Sequence, residues 1–226
     1  MLIKKFNKRA YFYPLILVIF LWILIFNNIM GTYENDQKEY IEKESLFLNK
    51  TIEVILDNYH NFSEYVFLNS VNKENILEII NEANFADESR KQELRNILFE
   101  TLKNDYELIE KYNFPYLHFH LFEGVSFLRF NNREIFGDNL IGVRETVRIA
   151  NQQGKYSFAF EEGNVFSGFR FVYPLKYLEK NIGSVEVSLS LSGVIESLNN
   201  FYKDNLIFFV MNDSTAEKVL LEKNDL

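Results

Sequence analysis

The stretch YLHFHLFEGVSFLRF, residues 116–130, alternates apolar and polar side chains on both sides of a Glu-Gly pair. Alternation with a period of two is typical of β-strands, because successive side chains point to opposite faces of a sheet. Glu123-Gly124 can supply the turn between two such strands. The pattern therefore predicts a hairpin with strands over residues 116–122 and 126–130.

Ionisable residues lie on the predicted strands themselves. His118 and His120 share one face of the first strand, and Phe127 shares a face with Arg129 on the return strand. A small sheet with so many charges presents a face to something other than bulk water. Three further strands are predicted at residues 156–162, 168–175 and 181–191, and they carry Glu161, Arg170, Tyr173 and Glu186.

A long helix is predicted from about residue 32 to residue 69, because this segment has no proline and no glycine. Its apolar residues recur at spacings of four and three, which forms a heptad-like seam. In one interpretation the seam only packs on the domain that follows. In the other it also pairs with the same helix of a second copy, and different parts of one long helix can do each. We expect a homodimer through this helix. The seam residues are Leu48, Ile52, Ile55, Tyr59, Phe62 and Val66.

Shorter helices are predicted around the strands. Asn72 caps a helix over residues 73–84, Asp87 begins one that runs to about residue 112, and Asp138 caps one over residues 140–153. A final helix over residues 191–202 leads to an apolar strand at residues 206–211. The order of elements predicts an α+β fold with helices packed on one antiparallel five-stranded sheet.

The N-terminal part of the chain predicts a membrane anchor. No charged residue occurs from Ala10 to Phe26, and basic residues precede this stretch while acidic residues follow it. The positive-inside rule then places residues 1–10 in the cytoplasm as a basic tail, with residues 11–30 as the transmembrane helix. The alternative is a cleaved signal peptide, but no small-x-small cleavage site follows. We predict a single-pass inner-membrane protein whose bulk is periplasmic or extracellular.

Composition excludes several functions. The chain has no cysteine, so it has neither disulfides nor thiol chemistry. Its net charge of −8 argues against nucleic-acid binding, which requires a basic face. No P-loop, nucleophile elbow or HExxH motif is present. We therefore expect no enzymatic activity and no cofactor.

Six short motifs, in this order, resemble the extracytoplasmic Cache sensor domains of bacterial chemoreceptors, histidine kinases and diguanylate cyclases. The resemblance is to the double-Cache type. It implies a PAS-like sheet and a role in signal transduction, as in chemotaxis or two-component systems. The motifs are LHFHL (117–121), SFLRF (126–130), FGDNL (136–140), Arg144, EEGNVFSGFRFVYPL (161–175) and IGSVEVSLS (182–190).

The resemblance also predicts a domain layout. Residues 31–112 form the long helix and a helical segment, residues 113–205 form the Cache sheet domain, and residues 206–226 begin a second sheet domain. Double-Cache sensors have that second domain, a second membrane helix and an output module. The chain has room for none of these, so we expect a truncated gene, a shortened chain or the leading part of a longer receptor.

The strand residues predict a site for a small organic anion. Arginine side chains can donate two parallel hydrogen bonds to a carboxylate, and the histidines and a tyrosine hydroxyl can add further donors. The resemblance implies a ligand held over the sheet, under a helix and a loop. The predicted ligand-binding residues are His118, His120, Phe127, Arg129, Arg144, Glu161, Arg170, Tyr173 and Glu186.

Purely structural roles compete with this interpretation. Arg170 can form a cross-strand ion pair with Glu161 or Glu186, Arg144 can brace a loop, and Arg129 can face solvent at the sheet edge. His118 and His120 can be satisfied core histidines.

Two other functions are compatible with parts of the sequence. A zinc site could combine the His-x-His pair with a carboxylate such as Glu161, but the third histidine, His60, lies on the long helix, and we expect no metal. The rival to a ligand sensor is an anchored protein-interaction module of the same fold with no small-molecule ligand.

Overall fold

The computed structural model describes residues 9–161 and 167–202. The predicted strand at residues 206–211 and the predicted second domain lie outside the described residues, as does nearly all of the predicted basic tail. The chain divides into two units, Met1–Thr51 and Ile52–Leu226. The elements are α1 (Arg9–Val66), a π-helical turn (Phe67–Val71), α2 (Glu74–Ala83), α3 (Glu88–Glu110), β1 (Tyr116–Leu121), β2 (Ser126–Arg129), α4 (Glu145–Gln153), β3 (Ser157–Glu161), β4 (Gly168–Tyr177), β5 (Lys180–Ser190) and α5 (Leu191–Phe201).

The first unit is helical throughout its described part, and it belongs to α1. By length and composition, this helix contains a stretch apolar enough to cross a membrane. Every large apolar side chain from Leu15 to Phe26 is exposed, as the lipid-facing side chains of a bilayer span are. Gly31 does not interrupt the helix. The predicted transmembrane segment and the predicted long helix, which the sequence placed as neighbours, belong to one continuous α-helix.

The second unit is built around a five-stranded antiparallel sheet in the order β2-β1-β5-β4-β3. The chain forms β1 and β2, then crosses to the other edge through α4, and returns through β3, β4 and β5. The last strand thereby inserts beside β1 and becomes the centre of the sheet. The predicted α+β fold, with helices on an antiparallel five-stranded sheet, is confirmed.

The register gives the sheet one apolar face and one polar face. Directly paired residues of an antiparallel sheet share a face. Val187 pairs with both Leu117 and Phe171, whereas Glu186 pairs with His118 and with Val172. Central strand β5 is buried on both faces, from Ile182 to Leu189. The polar residues of β5 are consequently inside the protein.

Helices cover the apolar face. The last turns of α1 bury Ile55 and Val66. In the same region the Ser63 Oγ is 2.7 Å from the Tyr173 hydroxyl, and the ring of Phe67 stacks on that of Tyr173 at 4.6 Å. From Ile52 onward the predicted seam therefore serves as core against its own sheet, as one of the two interpretations required.

Helix α4 packs on the polar face. The side chain of Asn151 donates hydrogen bonds to the carbonyl oxygens of Leu121 and Phe122, at 2.6 and 2.9 Å. Asn181 reaches from β5 to the carbonyl oxygen of Ala150 at 3.1 Å. These bonds hold α4 over the sheet, so the polar side chains of this face lie between the sheet and the helix.

Two predicted helix starts are wrong. Helix α4 begins at Glu145, not at residue 140, and Asp138 does not cap it, because the Asp138 carboxylate binds Arg129. Residues before α4 run instead along the free edge of β2, where the Ser126 amide donates to the Asp138 carbonyl. Asn72 does not cap α2 either. Lys73 occupies the N-cap position without a side-chain hydrogen bond.

The hairpin between β4 and β5 turns on two residues, Leu178 and Glu179. Both have positive φ, at 48° and 63°. Such a turn follows the right-handed twist of the strands, and Asn-Gly is the usual pair for it. The sequence placed the turn correctly at residues 178–181, but it carries no signal for this tight form.

Replacing Gly183 by alanine is expected to destabilise the sheet. A Cβ there would overlap the carbonyl oxygen of His120, and its φ of 149° favours glycine. Gly142→Ala is the matched control, since nothing lies within 4 Å of its added Cβ. We expect a loss of about 1–3 kcal/mol for Gly183→Ala and less than about 0.5 kcal/mol for the control. Near-UV circular dichroism of the full chain during thermal unfolding measures both; equal midpoints would contradict the argument.

Candidate functional site

Six of the nine predicted ligand-binding residues meet on the polar face of the sheet. They come from all five strands, and because paired residues share a face, they line one surface beneath α4. These residues are His118 and His120 of β1, Arg129 of β2, Glu161 of β3, Arg170 of β4 and Glu186 of β5.

Arg170 and Glu186 form a buried ion pair at the centre of this face. Their side chains are 4% and 3% exposed, and Arg170 Nη1 donates to Glu186 Oε1. The Ser188 hydroxyl donates to the same oxygen at 2.6 Å. Burial acts to raise the pKa of Glu186, but the charge of Arg170, the neighbouring His120 and the hydrogen bonds from Ser188 and Arg170 together outweigh it, and the pKa falls below its usual range. The carboxylate is therefore charged at neutral pH.

Glu161 joins this pair to α4. Its Oε2 lies 3.5 Å from Arg170 Nε. Its two carboxylate oxygens also accept hydrogen bonds from the Thr146 amide and hydroxyl, both at 2.9 Å. A carboxylate at the first turn of a helix satisfies free amide groups and the helix dipole. Glu161 therefore fixes where α4 starts relative to β3.

His118 and His120 form a second buried group. Their rings are hydrogen-bonded to each other, with His118 Nδ1 3.1 Å from His120 Nε2. Burial lowers the pKa of His118 well below its usual value, and nearby cations add to this effect. Burial likewise lowers the pKa of His120, to about 4, although Glu186 opposes it. Both imidazoles are therefore uncharged at neutral pH.

Arg129 forms a two-point ion pair with Asp138. Its Nη1 and Nη2 donate to the two carboxylate oxygens at 2.8 and 2.7 Å, and Nη1 also donates to the Ile135 carbonyl. The hydrogen bonds from Arg129 lower the pKa of Asp138 below its usual value. The guanidinium thus holds the loop before α4 against the edge of the sheet.

Arg144 differs from the other arginines near the face. It is the N-cap residue of α4, and its guanidinium is close enough to interact electrostatically with Arg170, Glu186 and Glu161. Among residues 9–161 and 167–202, its guanidinium has no hydrogen-bond or ion-pair partner. Burial lowers the pKa of Arg144, but arginine remains protonated at neutral pH. A half-buried cation with its donors unused is the residue best suited to hold an anion.

Two predicted residues lie apart from this group. Tyr173 is on the apolar face, where it contacts Ser63 and Phe67. Phe127 is buried, and the Arg95 guanidinium lies 5.6 Å from its ring centre. Tyr173 helps to line a separate cleft of about 420 Å³ with His60, Glu64 and Tyr156.

Several contributors were missed in the sequence. Ser126, Ser184 and Ser188 supply hydroxyl groups to the histidines and to Glu186, and Thr146 holds Glu161. Ser184 and Ser188 alternate with valines on β5, so the sequence pattern already showed that they share a face. It did not show their partners, because these depend on the register of strands far apart in the chain.

The fold and the buried polar face define a Cache-type sensory domain. The chain belongs to the double-Cache family described as the double sensory domain of two-component sensor kinases, which matches residues 28–221. The sequence-based assignment to this family is confirmed. No curated protein sequence matches the chain significantly.

Solved structures of sensor domains are similar to the chain at low sequence identity. The sensor domain of the histidine kinase DctB from V. cholerae has a TM-score of 0.53 and 17% identity, and the match covers 66% of this chain and 54% of that one. The chain therefore spans about half the length of the DctB domain. The sensor domain of E. coli DcuS gives 0.49 and 15%, over 63% of this chain and 96% of that one. The sensory domain of Campylobacter jejuni chemoreceptor Tlp3, with isoleucine bound, gives 0.45 and 12%, over 67% and 58%.

Arg170→Ala is expected to cost about 3–5 kcal/mol of unfolding free energy, because it leaves the buried Glu186 carboxylate without its cation. Arg148→Ala is the matched control, since its ion pair with Glu145 is solvent-accessible and surface ion pairs contribute little to stability. Chemical unfolding of the full chain in detergent measures both. The double variant Arg170→Met/Glu186→Leu should lose less than Arg170→Ala alone. Equal losses for Arg170→Ala and Arg148→Ala would show that the buried pair is unimportant.

Proposed function

We propose that this chain is the sensing portion of a membrane-anchored bacterial receptor, and that it binds a small organic anion without catalysing a reaction. The ligand lies at the polar face of the sheet, near the start of α4, and Arg144 is its main anchor. Membership of a sensory family supports the general role. The half-buried guanidinium of Arg144, which has no acceptor among the described residues, supports an anion as the ligand.

The charge distribution on the face is the principal argument. Arg170 is engaged with Glu186 and Glu161, and Arg129 is engaged with Asp138. The histidines are uncharged, so they add no positive charge. Of the arginines considered for ligand binding, Arg144 alone has no acceptor in the described part of the chain. A guanidinium presents a planar set of donors that matches a carboxylate, and partial burial strengthens that interaction.

The surrounding geometry favours a ligand that orders α4. Arg144 precedes the helix, and Thr146 two residues later binds Glu161 of β3. An anion held by Arg144 would therefore tie the start of α4 to the sheet more firmly. Strand β4 carries Arg170 on this face and Tyr173 on the other, where Tyr173 meets the end of α1. A shift of β4 would thus move the end of α1, the helix that also contains the proposed membrane span. In a homodimer, this movement would change how the two copies of α1 pack.

A protein-interaction role is the second candidate. The edge strand β3 exposes Phe158 and Phe160, at 42% and 40%, and their rings contact Phe169. An exposed aromatic sheet edge is the kind of surface that binds partner proteins. This role needs no small-molecule ligand. The two candidates therefore differ in whether Arg144 binds an anion.

Arg144→Ala is expected to weaken binding of the anion and leave the fold intact. The 226-residue chain in nanodiscs is screened for thermal stabilisation by small mono- and dicarboxylates and by amino acids, and the hits are measured by calorimetry. We expect at least about a tenfold loss of affinity, since a hydrogen bond to a charged group contributes about 1.5–3 kcal/mol. Arg148→Ala, four residues later and paired with Glu145, should bind normally.

Three outcomes would contradict the proposal. Binding that survives Arg144→Ala but is lost in Tyr156→Ala would place the ligand in the cleft beside His60 and Glu64. The absence of any stabilising anion would favour the interaction module. Equal loss in Arg144→Ala and Arg148→Ala would indicate a general charge effect.

The proposed anchor predicts that the full chain stays in the membrane fraction after carbonate extraction, since about 20 apolar residues of α1 would lie in the hydrocarbon core. Ile19→Lys/Ile23→Lys should release it, because a lysine at the bilayer centre costs roughly 2.5–3.5 kcal/mol. Glu39→Lys, outside the apolar stretch, is the control. Release of the unmodified chain by carbonate would refute the anchor.

A further inference from the structure

His118, His120 and Glu186 place three metal-binding groups together inside the protein. One donor atom from each lies within 4.8 Å of the other two, and all three residues are buried. His118 Nδ1 and His120 Nε2 are 3.1 Å apart, and His120 Nε2 is 4.0 Å from Glu186 Oε2. Arg170 and Ser188 use the other carboxylate oxygen, Oε1. Oε2 therefore faces the histidines.

The outer nitrogen of each ring meets a serine. His118 Nε2 is 2.8 Å from the Ser126 hydroxyl, and His120 Nδ1 is 2.9 Å from the Ser184 hydroxyl. If both outer nitrogens donate their protons to the serines, two lone pairs face each other between the rings. Without a cation, one of the two imidazoles must adopt the other tautomer, with its proton on the inner nitrogen, so that it can donate to the other ring. A cation between the rings accepts both lone pairs and leaves both serines as acceptors, an arrangement common to metal-binding histidines.

The distances suit a tetrahedral ion. Zinc–nitrogen bonds of about 2.0–2.1 Å place neighbouring donor atoms roughly 3.3–3.4 Å apart. The nitrogen–nitrogen distance is already close to this value. The distance from His120 Nε2 to Glu186 Oε2 must shorten by about 0.6 Å to reach it. The donor atoms of His118 and Glu186 lie within 4.8 Å of each other and must approach by up to about 1.4 Å, which requires the Glu186 side chain to rotate toward the rings.

We propose that His118, His120 and Glu186 bind one divalent transition-metal ion of the zinc type, with a fourth position open to water or another small ligand. Two histidines and one glutamate are an established zinc ligand set. The site does not depend on the proposed anion. It reverses the expectation of no metal, because the carboxylate comes from Glu186 of β5 rather than from Glu161.

Nearby cations set the expected affinity. Arg129 and Arg170 act electrostatically on both histidines and disfavour a second positive group. Glu186 supplies one negative charge, which Arg170 already neutralises in part. We therefore expect affinity below that of a structural zinc site, and reversible loading.

Cobalt is the probe for this site. The 226-residue chain in detergent is stripped with a chelator and titrated with Co²⁺, with no organic anion present. One equivalent should give the strong visible absorption of tetrahedral cobalt, and Zn²⁺ should displace it. Only weak octahedral absorption, or no binding, would overturn the proposal. Because no organic anion is added, this result is independent of the Arg144 experiment.

His60→Gln is the matched control, because His60 is the remaining histidine of the chain and has Glu64 four residues later on α1. His118→Gln and His120→Gln should abolish the cobalt spectrum, and His60→Gln should retain it. The reverse pattern would assign the metal to α1 and refute the site. If the buried variants do not fold, Ser126→Ala and Ser184→Ala decide the matter: each should weaken binding about 10–100-fold. Unchanged affinity in both would overturn the proposal.

Discussion

The ion pair between Arg170 and Glu186 imposes a condition on the whole polar face of the sheet. Both charges are almost completely removed from water, and a buried charge is tolerated only when it is paired and hydrogen-bonded. The pair recruits Ser188 on its own strand and Glu161 on the edge strand. Glu161 in turn requires Thr146 at the start of α4. The position of α4 is therefore set by the hydrogen bonds and ion pairs that the buried charges of the sheet require.

The two faces of the sheet serve different purposes through the same strands. The apolar face is core, and it receives the last turns of α1 around Tyr173 and Ser63. The polar face is hydrogen-bonded within the sheet and to α4, and among the described residues Arg144 at its border has no acceptor. Strand β4 takes part in both faces. In the proposed sensor, this arrangement would let a ligand on the polar face influence the helix packed on the apolar face.

The sequence placed the candidate residues on the right faces where strand alternation could be read, and it missed their partners where it could not; that they bind a ligand stays a prediction. Histidines two residues apart share a face, and so do the serines and Glu186 of β5. The same rule places Arg170 and Tyr173, three residues apart, on opposite faces, so the separation of Tyr173 was visible in the sequence. The partner of Arg129 was not, because Asp138 looked like a helix cap. Nothing local distinguishes a capping aspartate from one that pairs with a neighbouring strand.

The sequence by itself determined the apolar helix, the five strands, their alternation and the family, because these depend on local periodicity and on short motifs. Tertiary structure alone decided which charges are used and which remain available. Arg129, Arg144 and Arg170 are chemically alike, and the sequence predicted the same role for all three. Register and the path of the loop before α4 gave two of them carboxylates, while Arg144 has none among the described residues. The physical reason is that pairing depends on distances of a few ångströms between residues far apart in the chain, and local patterns do not encode such distances.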